Sequence, residues 1–338
     1  MIRRLTPLLT KVASLAAVYL IVLLLIGTGA VNDYLLITIV TIGVNIVLAV
    51  SLNLITGFTG QFSLGHAGFM AIGAYTTALL TKAYPNIWAF LGGLLLGACI
   101  AAVVGLLVGL PTLRLRGDYL AIATLGMAEI IRVLLTNFQF TNGAAGLSGI
   151  PRFINWTWLF VFVVAAVLII GNFIRSMHGR DLIAVREDEI AASSIGVNSL
   201  RAKTLAFVVG AFFGGLAGGL YSSYFFVIKP DIFSFQKSID ILIIVVLGGL
   251  GSLSGSIIAA ILLAIISSSL QSFADIRMIL YGLILVLIMV FRPQGLMGDK
   301  EVTLTAMRRL IPHSDDIRQA MPRLVSRLRR RSGEAAQS

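Results

Sequence analysis

Charged residues are scarce in this 338-residue chain, and their scarcity decides its class. Only 12% of the residues are charged, whereas 58% are hydrophobic, and the mean hydropathy is +0.96. A soluble domain carries about 25% charged residues, so a water-soluble globular fold is excluded. Short segments that alternate apolar and polar residues are also lacking, which excludes a transmembrane β-barrel.

Cysteine and phosphate-binding motifs are nearly or wholly missing. Cys99 is the single cysteine, so no intrachain disulfide and no cysteine-based metal site can form, and a packing role is expected. Glycine is never followed by lysine, so the chain lacks the Gly-x-x-x-x-Gly-Lys phosphate loop of ATPases. We therefore expect no metal, no cofactor and no ATPase site within this chain.

Long apolar runs are what the sequence does contain, and they predict an all-α polytopic membrane protein. Runs of about 18 or more apolar residues can cross a hydrocarbon core of roughly 30 Å. The first run follows basic residues as in a signal peptide, but we expect it to be retained. The eighth is weakly apolar at its start, so it is either a short tilted span or a re-entrant one. We predict ten crossings, at about 12–31, 34–56, 62–82, 87–110, 118–136, 156–174, 204–227, 234–250, 254–272 and 275–291.

Basic residues are distributed asymmetrically among the predicted connections. With the N-terminus inside, most of the 26 lysines and arginines fall on the cytoplasmic side, as the positive-inside rule requires. Both termini are then cytoplasmic, and so is the charged loop 175–203. We predict a transmembrane domain over 1–298 and a basic tail over 299–338 that is disordered near anionic lipid.

The loop 175–203 contains the signals of a short helix. Asp188 and Glu189 stand where acidic groups favour a helix N-terminus. Gly196 is suited to the left-handed conformation that ends a helix. Between them, Ala191 and Ala192 lack bulk, so another protein could approach this helix closely. The alternative on these features alone is a solvated connector.

At this point the chain resembles a known family, the LivM-type permease subunits of branched-chain amino acid ABC transporters. The segment "GRDLIAVREDEIAASSIGVN" is similar to the cytoplasmic coupling loop of that family. Further signatures follow in the family's order: "GFTGQFSLGHAGFMAIGAY", "LRLRGDYLAIATLGMAEIIR", "TNGAAGLSGIP", "KTLAFVVGAFFGGLAGGLY", "VVLGGLGSLSGS" and "FRPQGLMG".

The resemblance implies an ABC importer permease fold that transports branched-chain or other aliphatic amino acids without being an enzyme. It implies coupling to two cytoplasmic ATPase subunits, a second related permease and an external solute-binding protein, in the cell (inner) membrane. Urea or short amides are alternative substrates, and an ion-coupled secondary transporter is a less favoured class. Which acidic residue meets the ATPase stays open, since Ile190 stands where the broader pattern has Glu. The residues that the resemblance assigns to coupling are Arg186, Asp188, Glu189, Ala191, Ala192 and Gly196.

Polar residues within the predicted spans are candidates for the translocation path, because intramembrane polar groups mark functional positions. Ser63 and His66 lie in a Gly-rich break, where the alternative is a tight turn with His66 bound to a carbonyl. Glu129 and Arg132 are three residues apart, so they share one helix face. A structural ion pair, or a position near the outer end of the span, is the alternative for them.

Two Gly-rich breaks, "GFTGQFSLGHAG" and "GGLGSLSGS", occupy corresponding parts of the two halves. Paired interruptions of this kind indicate an inverted structural repeat around a central pathway. An intramembrane enzyme would instead need a nucleophile–base or metal pair at membrane depth, for which only His66 and Glu129 are near candidates.

Overall fold

A computed structural model describes residues 2–29, 32–115, 117–269 and 295–298, together with positions 282, 283 and 286. The chain divides into two compact units, of which the larger is Ala17–Lys300. In the smaller unit the described residues form the beginning of the first helix. The predicted tenth crossing, apart from those three positions, and the predicted tail lie outside the described residues.

Helices dominate the described ranges, which confirms the helical class. A pair of two-residue strands, β1 (Leu147–Ser148) and β2 (Val227–Ile228), forms one antiparallel ribbon. Short 3-10 turns occur at Gln139–Thr141, Gly143–Ala145 and Pro230–Phe233. The helices are α1 Ile2–Gly27, α2 Asp33–Thr56, α3 His66–Ala83, α4 Ile87–Thr112, α5 Asp118–Asn137, α6 Trp156–Arg175, α7 Met177–Glu187, α8 Glu189–Ser194, α9 Ser199–Ser222, α10 Phe235–Gly248 and α11 Leu253–Ser269.

Five of the described helices, α2, α4, α5, α6 and α9, are long and apolar enough to cross a membrane. They correspond to five of the ten predicted crossings. The stretches Leu15–Gly27 and Leu253–Ser269 are apolar but shorter. The predicted eighth crossing coincides with α10, whose 14 residues reach only about 21 Å at 1.5 Å per residue. Its length is therefore less than the thickness of the hydrocarbon core.

The central helix is α9, and its glycines allow other helices to pack directly on its backbone. A Cβ added at Gly215 would lie 3.0 Å from the carbonyl oxygen of Gly97 in α4. At Gly218 it would overlap the carbonyl of Met70 in α3. Lipid tails are as apolar as side chains, so helices in a membrane associate through close packing of this kind. Small residues therefore set the positions of α3 and α4 on α9.

The two ends of α9 carry different connections. Its 24 residues span about 36 Å, from Ser199, which follows α7 and α8, to Ser222, which leads to β2. At the second end the ribbon β1–β2 joins the loops after α5 and after α9, and Arg152 lies 4.0 Å above the ring of Tyr224. The loops predicted on opposite sides of the membrane thus lie at opposite ends of one helix.

Candidate functional site

The short helix α8 begins at a side-chain cap. The carboxylate oxygen Oδ1 of Asp188 accepts hydrogen bonds from the backbone N–H of Ile190 at 2.8 Å and of Ala191 at 3.0 Å. These bonds satisfy two donors that have no partner inside a helix. The sequence-based prediction of a helix start at the two acidic residues is therefore confirmed, with Asp188 as the capping residue.

The end of α8 is formed by a glycine in the left-handed conformation. Gly196 has φ +92°, and the next residue, Val197, donates its N–H to the carbonyl of Ala192 at 3.1 Å. After one further residue, Asn198 caps α9 by accepting from the N–H of Arg201 at 3.0 Å. Caps on both sides restrict α8 to a short segment held between two longer helices.

The two alanines of α8, Ala191 and Ala192, are not both exposed to a partner, contrary to the simple expectation from the sequence. Ala192 is 3% exposed and packs inward, whereas Ala191 is exposed. Two bulky apolar side chains point outward instead, because Ile190 and Ile195 are 77% and 78% exposed. Sequence reasoning did not single out these exposed isoleucines. The available signal was the presence of β-branched apolar residues in an otherwise charged loop.

Glu189 and Arg186 are both engaged within this chain. The ammonium of Lys203 lies 2.8 Å from Oε1 of Glu189, which ties the start of α8 to α9. The guanidinium of Arg186 donates from Nη1 to the carbonyl oxygen of Gly57 at 3.0 Å and lies 2.6 Å from a carboxylate oxygen of Glu187. These contacts place α8 at a fixed corner between α7 and α9.

The two Gly-rich breaks meet at Asn53, whose backbone carbonyl accepts a hydrogen bond from the N–H of Gly57, the first residue of the first break, at 2.8 Å. Asn53 in α2 accepts a hydrogen bond at Oδ1 from the N–H of Gly251 at 2.9 Å. Its Nδ2 donates to the carbonyl of Ser252 at 2.9 Å and to the hydroxyl of Ser256 at 2.7 Å. Asn53 is fully buried, so each of these bonds avoids the cost of an unpaired polar group. One side chain therefore joins the end of α2 to the turn between α10 and α11.

His66 is the first residue of α3 and is fully buried. Its Nε2 lies 2.7 Å from the hydroxyl oxygen of Ser51, which is itself 3.0 Å from the carbonyl of Leu48. A hydroxyl has one proton. Because Ser51 donates it to the carbonyl of Leu48, its oxygen accepts a hydrogen bond from Nε2–H of His66. The partner of this histidine is thus a hydroxyl rather than a carbonyl. Over the described part of the chain, no group of three His, Cys, Asp or Glu side chains could hold a metal.

Side chains of α5 and α10 satisfy backbone donors around the start of α3. The N–H of Leu64 donates to the hydroxyl of Thr124 at 3.1 Å, and the N–H of Ala67 donates to the hydroxyl of Ser238 at 3.3 Å. Ser63, the other candidate in this break, is 1% exposed. The break is therefore a tightly packed junction of four helices in this chain.

Glu129 and Arg132 form an ion pair on α5, with Nε of Arg132 2.7 Å from Oε2 of Glu129. Arg132 also approaches Asp231, at 3.3 Å, and Glu129 accepts from the N–H of Phe235 at 3.1 Å. Asp231 is 80% exposed at its side chain. The pair therefore ties α5 to the start of α10.

Comparison with known proteins places the chain in a family. The family described as branched-chain amino acid transport system / permease component matches residues 34–290, a range that includes both breaks, the ion pair and α8. This chain belongs to that permease family. The resemblance inferred from its motifs is thereby confirmed.

Individual relatives of the chain are also named as permease proteins of branched-chain amino acid transport. The chain is 39% identical over 288 residues to the high-affinity branched-chain amino acid transport system permease protein LivM of Escherichia coli K12, covering 75% of this chain and 67% of that protein. It is 27% identical over 328 residues to a probable LivM of Methanocaldococcus jannaschii, covering 80% and 94%. It is 25% identical over 287 residues to the permease protein LivH of Salmonella typhimurium, covering 75% and 91%. No solved structure matches the chain significantly.

Family membership and the apolar helices together establish a LivM-type permease that is a multi-pass membrane protein. The relatives are permease components of transport systems rather than enzymes. The comparisons do not assign roles to single residues, so the coupling and path residues named above stay predictions.

Proposed function

We propose that this permease is the membrane-spanning subunit of an ATP-binding cassette importer for branched-chain (aliphatic) amino acids. In this proposal separate ATPase subunits drive it between inward-open and outward-open states. Both states must differ in their contacts with the ATPases for hydrolysis to shift the equilibrium between them. The observation that carries the proposal is the presentation of α8 at one end of the bundle.

Helix α8 has the properties that a mechanical contact requires. Its start is capped by Asp188, its end is fixed at Gly196, and Glu189 is tied back to Lys203. Ile190 within it and Ile195 directly after it are exposed among polar residues. Burying one isoleucine side chain contributes roughly 1.5–3 kcal/mol, so a groove that accepts both would bind α8 firmly. A solvated connector would gain nothing from two exposed isoleucines.

The proposed assembly contains this chain, a second permease of the same family, two cytoplasmic ATPase subunits and an external solute-binding protein. The second permease is supported by the relatives, which include proteins named LivM and LivH as permeases of the same kind of transport system. The absence of a Gly-Lys pair anywhere in the sequence supports an ATPase on separate chains. No cofactor is proposed for this subunit.

We further propose ten crossings, a location in the inner membrane and cytoplasmic termini. The distribution of basic residues supports this topology. The direct contact of the two Gly-rich breaks through Asn53 is compatible with an inverted repeat around a central junction. The candidate residues of the translocation path stay Ser63, just before α3, His66 at its start, and Glu129 and Arg132 on α5.

Purification of the tagged chain with its native partners tests this function. We expect ATPase subunits to co-purify, and we expect proteoliposomes to take up leucine, isoleucine or valine only with ATP and the solute-binding protein. Preferential uptake of urea or short amides would support the alternative substrate class. Uptake that follows an ion gradient without ATP would instead identify a secondary transporter.

A further inference from the structure

The side chain of Arg186 lies in a cradle of three glycines, Gly57, Gly60 and Gly251. A Cβ added at Gly251 would lie 2.9 Å from Nη1 of Arg186, and one added at Gly60 would lie 3.2 Å from its Cγ. The carbonyl of Gly57 accepts from Nη1 at 3.0 Å. Gly57 and Gly60 belong to the break after α2, whereas Gly251 belongs to the break between α10 and α11. One side chain thus contacts both breaks.

Electrostatics favours the arginine at this position. Gly57 is the residue that ends α2, and a cation is favourable near the carbonyls at a helix C-terminus. Glu187 holds the other edge of the guanidinium, with Nε and Nη2 at 3.0 Å and 2.6 Å from one carboxylate oxygen. The planar fork of arginine can bind the carbonyl and the carboxylate together, whereas lysine provides a single compact charge.

The location of Arg186 in the chain connects its contact with the two breaks to the position of α8. It lies in the last turn of α7, two residues before Asp188, which caps α8. Ile190 of α8 and the following Ile195 are exposed, while the side chain of Arg186 points inward to the breaks. A displacement of α8 therefore reaches the breaks through one short, hydrogen-bonded link.

We infer that Arg186 is the positioning residue through which movement of α8 is transmitted to the two breaks of the membrane domain. Asn53 holds the breaks together, so a force applied at Gly57 also moves the turn at Gly251. Arg186 acts inside this chain in this role, and α8 itself meets the ATPase. The inference rests on the proposed function, because it needs an ATPase that moves α8.

Substitution of Arg186 separates this role from docking. In the purified complex, Arg186→Ala should keep normal amounts of co-purifying ATPase, because the caps and exposed face of α8 are untouched. Uptake should fall at least tenfold, and hydrolysis should lose its stimulation by the loaded solute-binding protein. Arg186→Lys should restore part of the uptake. The matched control is Arg180→Ala, which removes an exposed arginine from the same helix and should transport normally.

Two outcomes of this experiment overturn the inference. One is uptake by Arg186→Ala within twofold of the unmodified complex. The other is loss of the ATPase in proportion to the loss of uptake, since that would make Arg186 only a support for the folded loop. If the unmodified complex itself has no ATP-dependent uptake, the proposed function fails, which distinguishes the two failures.

A reversible bridge tests the mechanical link directly. A Cβ at Gly60 would lie 3.9 Å from Cβ of Arg186, within the range that a disulfide spans. The variant Gly60→Cys/Arg186→Cys, in a Cys99→Ser background, replaces the arginine by a bond that can be opened, and Gly60→Cys alone is the control because position 60 has φ +69°. We expect low uptake after reduction and recovery after oxidation. Equally low uptake with the bridge formed, as verified by peptide mapping, would contradict transmission through this contact.

Discussion

At the scale of single residues, the close packing of helices in this permease depends most directly on glycine. At Gly218 an added Cβ would overlap the backbone carbonyl of Met70, and at Gly73 it would overlap the carbonyl of Gly215. A backbone carbonyl cannot rotate away as a flexible side chain can. Any larger residue at these positions must therefore separate α3 from α9.

The first prediction concerns that contact. Gly218→Ala should destabilise the bundle by about 3 kcal/mol, the upper end of the cost of overpacking, because neither backbone can yield. Thermal unfolding of the detergent-solubilised protein, followed by size-exclusion chromatography, measures the change. Gly126→Ala is the control, since an added Cβ there meets nothing within 4 Å. Equal stability of the two variants would contradict the packing argument.

Glu129 illustrates a residue whose contacts are clear and whose role is a prediction. Its carboxylate binds Arg132 and also accepts from the N–H of Phe235. Glu129→Gln keeps an acceptor for Phe235 but removes the charge. If the charge serves the translocation path, uptake should fall severalfold while the complex assembles normally. Normal uptake would return the pair to a structural role.

Asp231→Asn is the matched control for that experiment. Asp231 contacts the same arginine at 3.3 Å, but its side chain is 80% exposed. Exposed ion pairs contribute only about 0–1 kcal/mol, so this substitution should leave both uptake and assembly unchanged.

At the scale of elements, α8 is distinguished by the division between its two faces. Ala192 packs inward, whereas Ile190 in the first turn and Ile195, directly after the last residue, are exposed. Six residues make less than two turns, so the caps at both ends rather than helix propensity keep α8 in place. The division of faces identifies which substitutions affect docking and which affect folding.

The prediction for this element uses Ala191, which is exposed between the isoleucines. Ala191→Glu adds bulk and charge to the docking face without disturbing the caps, so insertion into the membrane should be normal. We expect loss of co-purifying ATPase and at least a tenfold loss of uptake. Ile190→Asp should behave in the same way, because a charge would be buried in an apolar contact.

A control on the same element excludes a general effect of added charge. Arg180→Glu in α7 introduces an acidic residue at an exposed position outside α8 and should keep the ATPase bound. Uptake by Ala191→Glu at the unmodified rate would end the assignment of α8 as the coupling helix.

At the scale of the whole molecule, topology follows from the length of α9 and from what lies at its two ends. The β1–β2 ribbon lies at one end and α8 lies at the other. A helix of 24 residues at 1.5 Å per residue is about as long as the hydrocarbon core is thick. The two loops should therefore be accessible from opposite sides of the membrane.

Cysteine labelling in a Cys99→Ser background tests this expectation. Asn142→Cys, beside the ribbon, should react with a membrane-impermeant maleimide added to intact cells, and Ser193→Cys in α8 should react only in inverted vesicles. Both positions are exposed, so reagent access is not limited by burial. Labelling of Asn142→Cys only from the inside would overturn the proposed orientation.

The sequence alone determined the helical membrane class, the family and the bounds of α8. The long apolar runs determine the membrane class, because the hydrocarbon core imposes a minimum length on any helix that crosses it. Local chemistry determines the bounds of α8, because the carboxylate of Asp188 and the left-handed backbone of Gly196 act on their own neighbours along the chain. Such signals need no knowledge of distant residues.

The tertiary structure alone decided which distant residues meet. Arg186 contacts two breaks that are far apart in sequence, and His66 pairs with the hydroxyl of Ser51. Periodicity cannot predict these contacts, because it specifies which face of a helix is apolar and leaves its rotation and partners to packing. The inward position of Ala192 has the same cause. In a helix of six residues, the buried face is set by docking against α7 and α9, and its own short pattern is insufficient to fix it.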